Sequence, residues 1–515
     1  MRAIINLYNK LNHDQNLASN IFLGSIVVVA AVLRFLDLGA ESYWFDEIVT
    51  VYVGKGNVDP LLVGPSYVTP KFGLYGILIH FWIRAFGTTE AATRSFSALC
   101  GIASIALIYI LGRKLFGKKV ALLSALLMAI SEFQINYSQE ARSYALFELT
   151  TLLSFIFLIE FLKKKRRLHF ILYISATILL LYCHIYGVFV LAAQNLYLLL
   201  SWRRIRKIGV AWFLSQVLIF LPFLPSALPF MLNWAQKGGS GVSWIAAPPL
   251  WYPLRTLYLF VFPLRHERSW FSLSLNFGVG IAFFILASLI FIVLKRKKQC
   301  VASAKDFFPS ILAFSSKKNK IFLLGFWLIW PIVIPFIVSI VLRPMYTDRY
   351  MISAAPALYL LLAFCIASLQ KVVPKFIYIG TIAILILPGL YNYYIEDVKE
   401  QWREVGAYVE EKGRQGDVVV IAPDELGWQQ KSFGWYYRGS LPRCGIGTEC
   451  KDDEAIMKSL FACISNSKRL WLIMRGSSEV LEHFRASFIH EHRSMCLLEH
   501  QKFKGIFVYL FEIMK

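Results

Sequence analysis

Long blocks of apolar residues, each near the length needed to cross a bilayer as a helix, constrain this chain more than any other feature. About 20 such residues span a hydrocarbon core. Stretches that meet or approach that length lie near 20–38, 94–112, 120–137, 146–162, 168–184, 185–201, 209–231, 270–294, 320–342, 350–369 and 375–394. With 57% hydrophobic residues and a mean hydropathy of +0.55 over 515 residues, the chain carries more apolar surface than one soluble core could hide. The expected fold is a polytopic α-helical membrane protein with about 11 transmembrane helices plus interfacial helices. The first block has a signal-peptide-like core at Ile21–Leu33, but the apolar run continues past it and no small-residue cleavage site ends it, so it is expected to stay as an anchor.

A net charge of +22 raises nucleic acid as a partner, but the placement of the cations argues against it. Lys and Arg gather in short runs between apolar blocks, at 163–167, 203–207, 295–298 and 317–320, which is how topology signals are arranged. Residues 70–86 are a twelfth candidate span. Seventeen residues at about 1.5 Å each reach only about 25 Å, and Lys71, His80 and Arg84 suit lipid tails poorly. Read as a helix at the outer interface, 70–86 leaves the basic loops 112–119, 163–169, 201–207, 295–320 and 370–375 on one side, the cytoplasm. The N-terminus is then cytoplasmic. Segments 39–93, 138–148, 232–268, 343–350 and everything after 394 face outward.

The tail has a different character. Residues 395–515 are mixed and polar, with apolar runs DVVVIA (417–422), RLWLIM (469–474) and GIFVYLF (505–511) bounded by Gly, Pro and charge. These predict strands of a small α/β soluble domain, with helices near 401–412 and 453–464. The domains are therefore 1–394, in the membrane, and 395–515, outside it. Cys444, Cys450, Cys463 and Cys496 cluster in this tail, which suits disulfides in an oxidising compartment and allows three pairings.

Candidate chemistry lies in the outward segments. The first loop opens with ESYWFDE, an aromatic cluster ending in Asp46 and Glu47. The second carries Arg142, Tyr144 and Glu148; the last two stand at i and i+4 and share a helix face. An acid at the membrane rim is costly unless it is paired or useful, and a salt bridge to Arg142 or Lys71 is the structural alternative for Glu148. The segment 343–350 carries Tyr346 and Arg349, whose planar guanidinium suits phosphate oxygens. His184 and Tyr186 lie in a short outer turn. No His/Cys cluster has metal-ligand spacing, so no cofactor is assigned and a requirement for a divalent cation is left open.

In order and spacing these motifs resemble the C-type-fold glycosyltransferases that use lipid-phosphate sugars, particularly the bacterial dolichyl-phosphate-mannose-protein mannosyltransferase-like and aminoarabinose transferase group. The resemblance rests on Trp44-Phe-Asp46-Glu47, Thr69-Pro70-Lys71, Phe86-Gly-Thr-Thr-Glu90 with Arg94, the GRKLFG loop at 112–117, Tyr137-Ser-Gln-Glu-Ala-Arg142-Ser-Tyr144 and Arg349-Tyr350. It departs from relatives where Val68-Thr69-Pro70 stands for their His-Pro-Pro.

The resemblance implies an inner-membrane enzyme that moves a sugar from a polyprenyl-phosphate donor to a protein, lipid or glycan acceptor on the outer side. Asp46 would be the general base, with Glu47 and Glu148 as further acids of the site. Lys71, Arg142, Tyr144, His184, Tyr186, Tyr346 and Arg349 would contact donor phosphate or substrate. The competing expectation is a transporter or flippase of a lipid-linked sugar. Against it stands the placement of acids and arginines at outer helix ends rather than mid-span.

Overall fold

The computed structural model describes residues 2–56, 73–200, 209–236, 245–262, 317–369, 372–422, 427–446, 463–464, 467–476 and 495–514. The chain divides into two compact units. The first comprises Met1–Leu36, Val58–Ala85 and Thr93–Ile395; the second comprises Asp37–Asn57, Phe86–Ala92 and Glu396–Lys515.

The first unit is helical: α1 (Arg2–Phe35), α3 (Leu74–Phe86), α4 (Glu90–Phe116), α5 (Lys118–Ile130), α6 (Glu132–Ser138), α7 (Tyr144–Lys164), α8 (Arg167–Cys183) and α9 (Gly187–Leu200). It continues with α10 (Gly209–Gln236), α11 (Tyr252–Val261), α12 (Lys317–Val341), a 3-10 turn at Asp348–Ala354, α13 (Ala355–Ser368) and α14 (Val372–Ile395). Among the described residues five helices are long and apolar enough to cross a bilayer: Leu17–Phe35, α4, α7, α12 and Asp348–Ser368. Several shorter apolar helices, α3, α8 and α9 among them, accompany these. The apolar block at 270–294 lies outside the described residues. Val210, Phe213 and Leu221 on α10 are exposed, as side chains facing lipid would be. α3 has 13 residues, about 20 Å of helix, which falls short of a hydrocarbon core.

The block expected as one span at 120–137 is two helices meeting at 63°. Ser131 takes an extended backbone, and its side chain accepts from the Gln134 N–H at 3.4 Å, capping a new helix. The carbonyls that the break leaves at the end of α5 go to Arg34. Its fully buried guanidinium donates to Ala129 O at 3.0 Å and Met128 O at 3.2 Å, and to Ser138 Oγ at 3.3 Å.

The second unit contains α2 (Phe45–Gly54), α15 (Trp402–Lys412) and α16 (Trp428–Tyr436) with a five-stranded sheet. Strands β1 (Asp417–Ala422), β2 (Arg443–Gly445), β3 (Arg469–Arg475), β4 (Met495–Phe503) and β5 (Ile506–Ile513) run in the order β2-β1-β3-β5-β4. β1 is parallel to β2 and β3, while β5 is antiparallel to β3 and β4. Every residue of β1 is buried because both faces are covered, which explains its unbroken apolar run. Val419, Ile421, Trp471 and Ile473 pack with Trp402, Val405 and Val409 of α15 and Phe433 of α16. Val418, Val420, Leu470 and Leu472 form the other core with Ile446 and Ile464. Cys444 is disulfide-bonded to Cys463, whereas Cys496 is free and exposed; Cys450 lies outside the described residues.

The segment carrying Asp46 belongs to this unit through a dense set of contacts. Glu41 accepts from the backbone N–H groups of Val398 and Lys399. The Ser42 hydroxyl donates to Glu400 O at 2.6 Å, and Tyr43 N–H donates to the Tyr436 hydroxyl at 2.7 Å. The Glu400 carboxylate receives Phe45 N–H at 3.2 Å, the Trp402 indole at 2.8 Å and Arg475 at 2.6 Å.

Candidate functional site

Two sets of predicted residues come together, one in each unit. In the first unit, the start of α7, the turn between α8 and α9, and the 3-10 turn converge on an aromatic cluster. His184 lies 4.9 Å from Tyr350 and 5.2 Å from Tyr186 between ring centroids, and Phe147 stacks on it at 4.9 Å. Tyr186 and Tyr350 are 4.9 Å apart, and Tyr144 joins Tyr350 at 6.1 Å. The Arg349 guanidinium sits 5.4 Å from the Tyr350 ring and 6.0 Å from that of Tyr144, within cation–π range.

Arg142 and Arg349 both act on His184. Burial, followed by these two positive charges, pushes the His184 imidazole down to about 3, so it is neutral at physiological pH. The Tyr186 backbone N–H donates to His184 Nδ1 at 3.2 Å, which leaves the ring proton on Nε2. The Tyr186 hydroxyl donates to Met345 O, and burial holds that phenol well above its ordinary value. The turn is therefore a fixed mount with two guanidinium groups beside it.

Tyr346 is buried, with its hydroxyl 2.6 Å from Thr256 Oγ1 of α11. The neighbouring Asp348 is ion-paired with Arg255 of the same helix. These contacts tie the 343–350 segment to α11 and thereby fix where Arg349 stands. Glu148, one turn beyond Tyr144, is fully buried, and its Oε1 accepts from Gln134 Nε2 at 2.7 Å. Its partner is thus an amide of α6, not Arg142. Lys71 lies outside the described residues.

In the second unit, Asp46 and Glu47 occupy the first turn of α2, where the helix dipole favours acids. Their surroundings differ. Glu47 is fully buried, 3.7 Å from Lys399 Nζ, which is itself buried, and its Oε2 accepts the Trp44 backbone N–H at 3.4 Å. Asp46 is only partly buried. On the same helix, Tyr52 meets Trp435 at 5.5 Å and Trp428 at 6.2 Å, and Lys55, just past the helix end, lies 4.8 Å from the Trp435 ring.

Four residues that position these groups were not singled out from sequence: Arg34, Gln134, Lys399 and Glu400. Arg34 and Gln134 stand within apolar blocks, and a polar group there needs a partner, which was the available signal. Lys399 and Glu400 follow directly on the last apolar block and look like ordinary solvated charges. Among the described residues, no group of three or more His, Cys, Asp or Glu could hold a metal ion.

The family model for dolichyl-phosphate-mannose-protein mannosyltransferase matches residues 74–228, a stretch that holds Arg142, Tyr144, Glu148, His184 and Tyr186. No curated protein sequence matches the chain. Among solved structures, the chain is similar to ArnT from Cupriavidus metallidurans bound to undecaprenyl phosphate. The TM-score is 0.52 at 13% identity, over 95% of this chain and 97% of that one. The apo state of the same protein gives a TM-score of 0.51 at 12% identity, over 96% and 98% of the two chains. In fold, and in the stretch 74–228, the chain resembles the C-type-fold glycosyltransferases of the mannosyltransferase and aminoarabinose transferase group.

Proposed function

We propose that the protein is an integral membrane glycosyltransferase that moves a sugar from a polyprenyl-phosphate donor to an acceptor on the outer side of the inner membrane. The observation that carries this reading is the convergence of Arg142 and Arg349 on one aromatic cluster at the ends of apolar helices. The headgroup of a polyprenyl-phosphate lipid lies at that level of a bilayer, and guanidinium groups match its oxygens in geometry and charge. The fold shared with ArnT, whose structure holds undecaprenyl phosphate, supports the same choice of donor.

The chemistry needs little from the protein on the leaving side. The bond between the anomeric carbon and the phosphate oxygen breaks as the acceptor's oxygen or nitrogen bonds to that carbon. Negative charge accumulates on the departing polyprenyl phosphate, where Arg142 and Arg349, with Lys71, supply cationic stabilisation. The acceptor's proton goes to Asp46, the general base. Tyr144, His184, Tyr186 and Tyr346 shape the donor side. Glu47 and Glu148 support the site from buried positions. With eleven spans and an interfacial segment at 70–86, the N-terminus is cytoplasmic and the residues after 394 lie outside. The acceptor is a protein, lipid or glycan, and a divalent cation remains compatible with the chemistry.

The test is transfer by the purified, reconstituted protein from a radiolabelled polyprenyl-phosphate hexose to envelope extract, comparing wild type with Arg349→Gln. A labelled product from wild type, reduced at least about tenfold in the variant, is the expected result. Movement of the labelled lipid between leaflets with no glycosylated product would support the transporter alternative and overturn the proposal.

A further inference from the structure

The second unit holds a cleft of about 740 Å³ that none of the candidate site residues line, a size typical of small-ligand sites. Its walls are the last turn of α15, the 413–416 turn that leads into β1, and the 437–442 segment between α16 and β2. Two glycines give it its shape. A Cβ on Gly413 would lie 2.6 Å from Val409 O, and one on Gly439 would collide with the Tyr437 ring and hydroxyl. Leu441 and Pro442 add apolar surface.

The polar groups on these walls are of two kinds. Arg414 and Arg438 are exposed on the cleft, and their guanidinium groups make no hydrogen bond, ion pair or ring contact among the described residues. Elsewhere in the unit arginines are committed: Arg403 holds Glu90, Arg469 holds Asp417 and Arg475 holds Glu400. The acceptors are the Glu410 carboxylate, which already receives the Arg438 backbone N–H, and the carbonyl end of α15. Gln415 and Ser440 both donate and accept.

A bare anion suits only half of this lining, because Glu410 and the negative end of a helix dipole would repel it. A neutral sugar would leave both arginine forks unused. The geometry points to a binding site for an acidic saccharide: its carboxylate pairs with Arg414 and Arg438, and its hydroxyls donate to Glu410 and the α15 carbonyls. Resting on the glycosyltransferase reading, this makes the cleft a docking site for a uronic-acid unit of the acceptor, lined by none of the residues assigned to the transfer chemistry.

The experiment measures binding by saturation-transfer NMR to the full-length protein in nanodiscs, without donor lipid. The probes are cellobiouronic acid, cellobiose and inorganic phosphate. Wild type should bind the acidic disaccharide at least about tenfold more tightly than cellobiose or phosphate, and Arg414→Gln/Arg438→Gln should erase that preference. Glu410→Gln should weaken the disaccharide while leaving phosphate no weaker. Equal affinity of wild type and the double variant for the acidic disaccharide, no binding of it to wild type, or phosphate binding as tightly as the disaccharide would each overturn the site. Because no sugar is transferred in this assay, its failure leaves the transferase reading standing, and a failed transfer assay leaves this one standing.

Discussion

Asp46 and Glu47 are adjacent acids on one helical turn, one partly and one fully buried, and the roles proposed for them can be separated by substitution. Glu47→Gln keeps the shape of the side chain but removes its charge. Lys399, 7% exposed, then loses the carboxylate that stands 3.7 Å from its buried ammonium. Breaking a buried pair typically costs about 3–5 kcal/mol, and the long separation puts this pair near about 3 kcal/mol. The glutamine still accepts the Trp44 N–H, so no further loss from the helix cap is added. Asp46 is partly exposed in the first turn of α2, and Asp46→Asn should cost no more than about 1 kcal/mol, the scale of a lost helix-dipole interaction. Loss of a general base, by contrast, lowers turnover by about 10²–10⁴-fold. The assay pairs thermal unfolding followed by tryptophan fluorescence with sugar transfer measured well below either midpoint. Asp46→Asn should melt close to wild type and fail to turn over; Glu47→Gln should melt early and turn over within a few-fold of wild type. An active, early-melting Asp46→Asn together with an inactive, fully stable Glu47→Gln would refute the assignment.

Three further outcomes follow from the same structure. His184 is held at about 3 in the folded state against about 6.5 unfolded, so its contribution to stability is full above about pH 6.5 and is lost as pH falls towards 3. At pH 5 the loss is about 2 kcal/mol, and His184→Phe, which keeps the ring stacked on Phe147, should show a correspondingly flatter dependence in denaturation at pH 7 and pH 5. Opening the Cys444–Cys463 disulfide, which joins residues 19 apart, by Cys444→Ser with Cys463→Ser should cost about 3 kcal/mol in the second unit, read as faster proteolysis of the tail. Asp417 accepts two guanidinium bonds from Arg469 at 2.6 and 2.9 Å, the Trp471 indole at 2.9 Å and the Arg414 N–H at 2.9 Å. Burial alone would raise its carboxyl, but these donors hold it below the ordinary value, so Asp417→Asn should destabilise the sheet by about 3 kcal/mol at pH 7, with the difference fading only below about pH 4.

What could be read from the residues alone depended on how local the cause was. The apolar run 417–422 is a strand buried on both faces, and such a strand writes its whole environment into consecutive residues. β4 is an edge strand whose residues, Cys496 to Leu498 among them, are largely exposed, so its sequence carries no such pattern. The break at Ser131 was hidden because the apolar run of α5 carries the whole block past the hydropathy of a single span, although α6 itself reads EFQINYS; the turn is marked by a serine cap and by Arg34 from a distant helix. Tyr144, His184, Tyr186 and Arg349 were legible as polar or aromatic groups at ends of apolar blocks. The partnership of Glu148 with Gln134 and of Glu47 with Lys399 was not, because helix phase and tertiary packing choose the partner.

The attachment of residues 37–57 and 86–92 to the same compact unit as 396–515 bears on how the protein can be cut and recombined. A stop codon after the last apolar block would strip Glu41, Ser42, Tyr43 and Phe45 of the backbone and side-chain partners at 398–400 and 436 that hold them. The peptide bearing Asp46 would lose its mount along with the tail, so a dead truncation would say nothing about acceptor recognition. A chimera meant to transplant acceptor choice should therefore exchange three pieces of chain at once, and natural variants that retain function should change those pieces together.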